Sequence, residues 1–431
     1  MGRKPACYPG PDYVLHLAHL GPSPPSVEAP LRPCHTGDLA TLRPRLLAVS
    51  TTMTTPAAEA VSRRLGAAVR GLSGAWYGRH MASAERAIRA RLPLVDLVLE
   101  VRDARAPASS SFEPLLRRRG PLEPDRRAVV LLNKADLADP SETEGWVAYI
   151  KKQRRCSCVA VNSHSRESIK EVLKVVQARM REIKHGDSNC TGTALLVGIP
   201  NVGKSAIVNA IHQIGRIAAA EKGKLKHAIV SSHPGETRDI RGYKIASHPN
   251  IYVLDTPGVL SPRFADDGSG PRLALTGAIK DSLLEDYDTA QLLLAIVNSG
   301  KEYRKWEKLN KAGDSFSCGN TITPRGHNSK EQYASDHTQD SVVKAVRQVL
   351  FETISSFNGD LGQVDELRRL IGHQLVNLQQ VFKVLTEPSE NICKPIATKL
   401  VNLYRTGRLG RYTLEHVPDV RQEVVAELPT A

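Results

Sequence analysis

The segment Gly198-Ile-Pro-Asn-Val-Gly203-Lys204-Ser205 constrains this chain more than any other, because it fits G-x-x-x-x-G-K-S between a predicted strand and a predicted helix. The strand is Thr193 to Val197, and the helix opens at Ala206-Ile207-Val208. Such a loop lets backbone N–H groups converge on phosphates. Lys204 supplies a point charge for the β and γ oxygens, and the Ser205 hydroxyl can ligate Mg²⁺. A strand, a tight turn and a helix in that order belong to an α/β sheet whose ligands bind at the carboxyl ends of its strands.

Further motifs fill out a nucleotide site. Asp255-Thr-Pro-Gly258 follows the predicted strand Ile251 to Leu254, placing a carboxylate where it can hold Mg²⁺ through water and a glycine N–H where a γ-phosphate would sit. Between it and the phosphate loop, Pro234-Gly-Glu-Thr237 offers a hydroxyl suited to closing on Mg²⁺. Asn133-Lys134-Ala-Asp136 follows the predicted strand Ala128 to Leu132. There Asp136 can accept two hydrogen bonds from the guanine N1 and N2 edge, a pattern adenine does not offer, while Asn133 and Lys134 brace the pocket. Asn162-Ser163, after a predicted strand Cys158 to Val161, is the expected loop behind the base.

The order of these motifs is informative. A small GTPase ordinarily carries the phosphate loop first, whereas here the guanine-reading motif precedes it by more than 60 residues. The chain therefore reads as a circularly permuted, mainly parallel α/β domain. The segment after Gly258 then leads toward the C-terminal helices instead of back into the sheet, so nucleotide state is expected to bias their placement.

Composition divides the rest. Residues 1–55 are expected to be a disordered leader or presequence, since the first 50 hold nine Pro and only three acids. Residues 56–79 form an amphipathic segment in which Val61, Leu65, Val69 and Leu72 alternate with Arg63, Arg64 and Arg70. This acid-poor pattern matches a mitochondrial presequence, with Met53 as an alternative start; a surface helix packed on the following domain is the other reading. The GTPase domain is expected over 80–297, its first strand read as Leu94 to Val101, with a polar linker or insertion over 298–340 and a small α-helical domain over 341–431. No stretch approaches the ~18 apolar residues that would span a bilayer. Seven irregularly spaced Cys fit a reducing compartment better than a disulfide framework. The net charge of +14 points to polyanions, and Lys394, Lys399, Arg405, Arg408 and Arg411, with no acid among them, form a candidate RNA-facing edge.

With these motifs, Trp76-Tyr-Gly-Arg-His80-Met, Val101-Arg-Asp103-Ala-Arg105, Pro234-Gly-Glu-Thr-Arg-Asp and the late Leu403-Tyr-Arg-Thr-Gly-Arg-Leu-Gly-Arg-Tyr412, the chain resembles the circularly permuted GTPases that assist assembly of the large ribosomal subunit. These are the ribosome biogenesis GTPase A type, with plant DAR GTPases among them. The resemblance implies GTP as substrate, slow turnover unless ribosomal particles stimulate it, and the large subunit and its rRNA as partners; the sequence does not specify the oligomeric state, and a monomer is expected. It also implies a mitochondrial location, at the matrix or inner-membrane face, with another organelle or the cytoplasm as alternatives. Asn133, Lys134, Asp136, Asn162 and Ser163 would bind guanine; Asn201, Val202, Gly203, Lys204, Ser205, Ala206 and Gly258 the phosphates; Ser205 and Thr237 Mg²⁺. Asn201 would take the K⁺ ion that this family associates with hydrolysis.

Val259 stands where many GTPases carry a water-positioning Gln, and the resemblance offers His80 as the substitute. The local W-Y-G-R-H-M departs from the W-F-P-G-H-M of the bacterial relatives. Two other functions stay open: an rRNA-binding module that GTP merely orders, and a signalling GTPase with a non-ribosomal protein partner. Asp103 and Arg105 read as a structural ion pair, with a catalytic role as the other reading, and Cys156 and Cys158 as free thiols.

Overall fold

Strands buried on both faces sit at the centre of a parallel sheet and read as continuous apolar runs. Ala128–Asn133 (β2), all six residues buried, is such a strand; Leu97–Asp103 (β1), with only Val98 half-buried, is as deeply buried but carries Glu100, Arg102 and Asp103. In the computed structural model the described residues are 55–72, 77–112, 127–185, 191–219, 240–247, 249–260, 269–300, 302–307, 337–384 and 393–418. The remaining labelled strands are Ser157–Val161 (β3), Thr191–Val197 (β4), Arg241–Ser247 (β5) and Asn250–Asp255 (β6). They form one sheet in the order β3-β2-β1-β4-β6-β5, parallel except for the β5–β6 hairpin.

This order explains where the motifs meet. The chain runs outward from β1 to β3, returns to β4 at the centre, then continues to the opposite edge. The crossovers diverge between β1 and β4, which creates the crevice where a doubly wound sheet binds its ligand. Register brings the carboxyl ends into line, with Asp103 opposite Asn133, Asn133 opposite Val161, and Leu196 opposite Asp255.

Two strand expectations are corrected. Leu94 does not belong to β1: Pro93 helps close a 3₁₀ turn over Leu92–Leu94, and Leu94 points into solvent at 79% exposure. The antiparallel β5 is not legible as a strand because Arg241, Gly242 and Lys244 interrupt its apolar pattern; among its residues of described burial only Tyr243, Ile245 and Ala246 are buried.

Local chemistry sets the helix starts. Asp139 accepts from the N–H groups of Ser141 (2.9 Å) and Glu142 (3.2 Å), with Pro140 at the first position of Pro140–Arg154 (α3). Ser165 caps Arg166–Ile183 (α4) in the same way. Before them come Pro56–Gly71 (α1) and Arg79–Arg91 (α2), and after them Lys204–Ala219 (α5), which opens at the phosphate loop.

The helices beyond the sheet are Gly270–Leu275 (α6), Asp286–Ser299 (α7), Asp340–Ser355 (α8), Val364–Val381 (α9) and Cys393–Arg405 (α10). α7 packs against α1, α10 and α9, and continues two residues past the 297 boundary expected from the sequence. Asn298 and Gln374 exchange two buried amide hydrogen bonds of 2.9 Å between α7 and α9. Residues 56–71 of the segment read as presequence-like bury Ala57, Ala58, Val61, Leu65 and Val69 against this helical layer. At burial of about 1.5–3 kcal/mol per large aliphatic side chain, α1 belongs to the body. The chain then returns to the sheet. The N–H of Leu414 donates to Arg105 O at 2.7 Å, and that of Asp139 to Thr413 Oγ1 at 3.1 Å.

Candidate functional site

The phosphate loop is held by the guanine-reading loop. Asn133 Nδ2 donates to Val202 O at 2.8 Å and Lys134 Nζ to Asn201 O at 2.5 Å, so both residues brace the phosphate-loop turn. Gly203 makes the bracing possible: its φ is 92°, and a Cβ there would stand 2.3 Å from Asn133 Nδ2. Asn201 (φ 59°) sends its amide across the site to Gly277 O at 2.8 Å. The half-buried Asp136 makes no hydrogen bond among the described residues, which leaves its carboxylate available to a base edge. Behind it, the Ala135 N–H donates to Val161 O at 3.0 Å, while Asn162 Oδ1 accepts from the His164 N–H at 2.9 Å and shapes the last loop, with Ser163 half-buried beside it.

On the phosphate side, Ser205 Oγ donates to Asp255 Oδ2 at 2.8 Å. The other carboxylate oxygen, Oδ1, is buried without a hydrogen-bond partner among the described residues. A buried anionic oxygen left over next to a hydroxyl suits a hard divalent cation, so Ser205 and Asp255 fit Mg²⁺. Burial pushes the Asp255 carboxyl above its usual range despite the Ser205 bond and nearby Lys204. Gly258 lies hard against the phosphate loop, since a Cβ on it would come within 2.6 Å of Pro200 Cα.

Lys204 Nζ donates to Gly198 O (3.1 Å) and Ile199 O (2.8 Å) inside the loop. Burial lowers its pKa to about 8, with Asp255 opposing the shift and Lys134 adding to it. Phosphate anions placed beside it favour the charged form and raise that pKa again. Above pH 8 the free protein has therefore lost a proton that the complex keeps, and binding takes one up. GDP affinity is expected to fall about tenfold from about pH 7 to about pH 9. Calorimetry near pH 8.5 in buffers of different ionisation enthalpy reads the uptake directly; an affinity flat over that range would exclude it.

The end of β1 adds a buried cluster. Arg105 grips Asp103 with both arms, Nε to Oδ1 at 2.9 Å and Nη2 to Oδ2 at 2.8 Å, and Lys134 Nζ lies 3.1 Å from the same Oδ2. Burial alone would raise the Asp103 carboxyl, but Arg105 and Lys134 outweigh it and hold the group well below the usual carboxylate range. Removing either member of such a buried pair costs about 3–5 kcal/mol, because the other is left charged and unpaired. Asp103-Ala-Arg105 was legible as an ion pair; its link to Lys134 was not.

A family profile described as a 50S ribosome-binding GTPase matches residues 193–319. The chain is 50% identical to DAR GTPase 2, mitochondrial, of Arabidopsis thaliana over 83% of its own length and 95% of that protein. It belongs to the DAR and ribosome biogenesis A family of GTPases. Short integuments 2, mitochondrial, of the same plant is 37% identical over 81% of this chain and 90% of that one. Ribosome biogenesis GTPase A of Bacillus cereus is 34% identical, over 54% of this chain and 75% of the relative.

For a DAR GTPase the site is assembled from the phosphate loop, the guanine loop and Asp255 to Gly258, all joined by the contacts above. Val202 is buried and Ala206 half-buried at the start of α5. Thr237 and Trp76 lie outside the described residues. His80 is exposed at the second position of α2, and among the described residues no hydrogen bond or ion pair joins it to the phosphate loop. The residues of the basic edge differ in their contacts within the fold. Arg405 holds Asp281 with two bonds of 2.7 Å and donates to Leu275 O and Ala274 O, and Lys399 donates to Phe382 O at 3.1 Å. Both are engaged within the fold. Lys394, Arg408 and Arg411 remain exposed, Arg408 with Asp340 as partner at 2.8 Å.

Cys156 and Cys158 are buried, and burial raises the Cys158 thiol to about 12, which makes it inert at neutral pH. Among the described residues no group of three or more His, Cys, Asp or Glu could hold a metal, and no helix is long and apolar enough to cross a membrane.

Proposed function

We propose that this GTPase is an assembly factor for the large subunit of the mitochondrial ribosome, acting as a monomer whose helical layer changes placement with the bound nucleotide. Its identity to DAR GTPase 2, mitochondrial, across almost the whole of that relative carries the reading; the name of the bacterial relative, ribosome biogenesis GTPase A, supports the ribosomal part. In this reading a leader within residues 1–55 directs the chain to the organelle, at the matrix or inner-membrane face. The exposed Lys394, Arg408 and Arg411 meet rRNA phosphates, whose counterions they displace.

Asp136 reads guanine, Asn133 and Lys134 set the position of the phosphate loop, and Asn162 and Ser163 close the pocket behind the base. The N–H groups of residues 201 to 206 and the Lys204 charge hold the phosphates. Mg²⁺, when bound, would be held by Ser205, Thr237 and Asp255 and would supply charge neutralisation at the transferring phosphoryl group. Asn201 would hold K⁺. Val259 is fully buried and cannot orient water. His80 is the residue proposed to do so, brought to the site in the ribosome-bound form.

One assay tests the set: phosphate release by a chain beginning near Met53, in K⁺ or Na⁺, with and without mitochondrial large subunits. Stimulation of about 10³-fold by the subunits is expected, in the range a missing catalytic group supplied in trans accounts for. It should be larger in K⁺ and abolished by His80→Ala with nucleotide affinity intact. The buried Val259 favours a second reading, an rRNA-binding module that GTP only orders, and tight GTP binding without hydrolysis in every arm would establish it.

A further inference from the structure

The short helix α6 follows the loop that carries Gly258, and its C-terminal end is unusually crowded with donors. It closes in a Schellman turn: Gly277 takes φ 81°, its N–H donates to Ala274 O at 3.0 Å, and the Ala278 N–H to Leu273 O at 2.9 Å. The last carbonyls of a helix have no partner within it and carry its negative dipole end. Here they are taken by side chains from three distant parts of the chain. Arg405 donates Nη2 to Ala274 O (2.8 Å) and Nε to Leu275 O (3.0 Å), Arg105 Nη2 reaches Thr276 O (3.4 Å), and Asn201 Nδ2 reaches Gly277 O (2.8 Å).

These contacts close a ring. From the phosphate loop it runs through Asn201 O to Lys134, from Lys134 to Asp103, from Asp103 to Arg105, from Arg105 to Thr276, and back through Gly277 to the Asn201 amide. Arg105 also touches the helical layer, with its guanidinium 5.5 Å from the Tyr404 ring centre and Nη1 at 3.5 Å from Arg405 O. Tyr404 is buried at the end of α10, and Arg405 locks the same end of α6. The fork of a guanidinium suits this junction, since it holds a carboxylate with two arms while a further N–H meets a carbonyl; an ammonium cannot do both in fixed geometry.

We propose that Arg105 is a positioning residue that carries nucleotide occupancy from the guanine and phosphate loops to the end of α6 and the last turn of α10. A shift of Lys134 or Asn201 when nucleotide binds pulls on Asp103 or on Gly277, and Arg105 passes that movement to Tyr404. The inference deepens the nucleotide-dependent helical layer proposed above and rests on it.

Amide hydrogen exchange on the full chain, free, with GDP and with a non-hydrolysable GTP analogue, separates the two. In the wild type, segments 270–281 and 393–405 are expected to change exchange rate by about fivefold or more between states. Arg105→Lys keeps the charge opposite Asp103 but loses the fork; Tyr404→Leu removes the ring and leaves Asp103 paired. In both, the nucleotide-dependent change in 393–405 should shrink to less than about twofold while GDP affinity moves less than about threefold. A lower kcat at unchanged KM for GTP should accompany it. A merely structural Arg105 would lower the melting temperature and leave the nucleotide-dependent difference intact, and that result in either variant overturns the proposal. If Arg105→Lys fails to fold, Tyr404→Leu decides alone. No nucleotide-dependent change in the wild type would instead remove the reading of a responsive helical layer.

Discussion

A Lys204→Ala chain is expected to hydrolyse GTP about 10²- to 10³-fold more slowly than the wild type, with its fold intact. Lys204 is a buried cation, 6% exposed, enclosed by Gly198 O, Ile199 O and the approach of Gly258. In a site of this kind charge grows on the phosphoryl oxygens as the bond to the leaving group breaks, and a preorganised cation acts most strongly there because little water competes with it. The fold gains less from this ammonium than the reaction does. Its pKa, lowered to about 8, records that burial costs the charged form more than Asp255 returns. Truncation should therefore leave the melting temperature within a few degrees of the wild type. Single-turnover phosphate release and a thermal melt measure the two effects. A rate loss below about tenfold would mean that this lysine does not meet the transferring group.

How much of this was legible depends on what each residue answers to. The motifs report their own chemistry, so the phosphate loop, Asp255 to Gly258 and the guanine loop were found from residue types and order, and the permuted sheet followed from that order. β2 was read almost to its ends because a strand buried on both faces is apolar throughout. β5 was not, because an edge strand needs only alternate apolar residues, and Arg241 and Lys244 masked them. Arg405 shows the opposite case. In the sequence it belongs to an acid-free run that resembles an RNA-facing edge, yet its partners Asp281, Ala274 and Leu275 lie more than a hundred residues away. Backbone carbonyls at a helix end leave no mark in composition, so the donors around α6 could only be recognised once the chain was folded. The same holds for α1: its arginines resemble a presequence, but what decides its place is the apolar face buried against α7, α6 and α9.

Gly258→Ala is expected to separate the triphosphate from the diphosphate. The new methyl would lie 2.6 Å from Pro200 Cα and 2.7 Å from Pro200 N, and both atoms belong to the backbone of a loop already fixed by Lys134 and Asn201. Nothing there can rotate aside, so the segment after Asp255 must retreat from the phosphate loop. Strain of this kind typically costs about 1–3 kcal/mol. Retreat also withdraws the residue 258 N–H from the position a γ-phosphate would occupy, and a hydrogen bond to a charged group is worth about 1.5–3 kcal/mol. The two effects bear on the same movement and are not simply additive. Affinity for a non-hydrolysable GTP analogue should fall about 30- to 100-fold, while GDP, which makes no γ-phosphate contact, should lose no more than about threefold. Titration of both nucleotides against the same preparation measures the ratio. Equal losses would place the damage in the phosphate loop itself, and equal retention would mean that Gly258 is packed against Pro200 without serving the γ-phosphate.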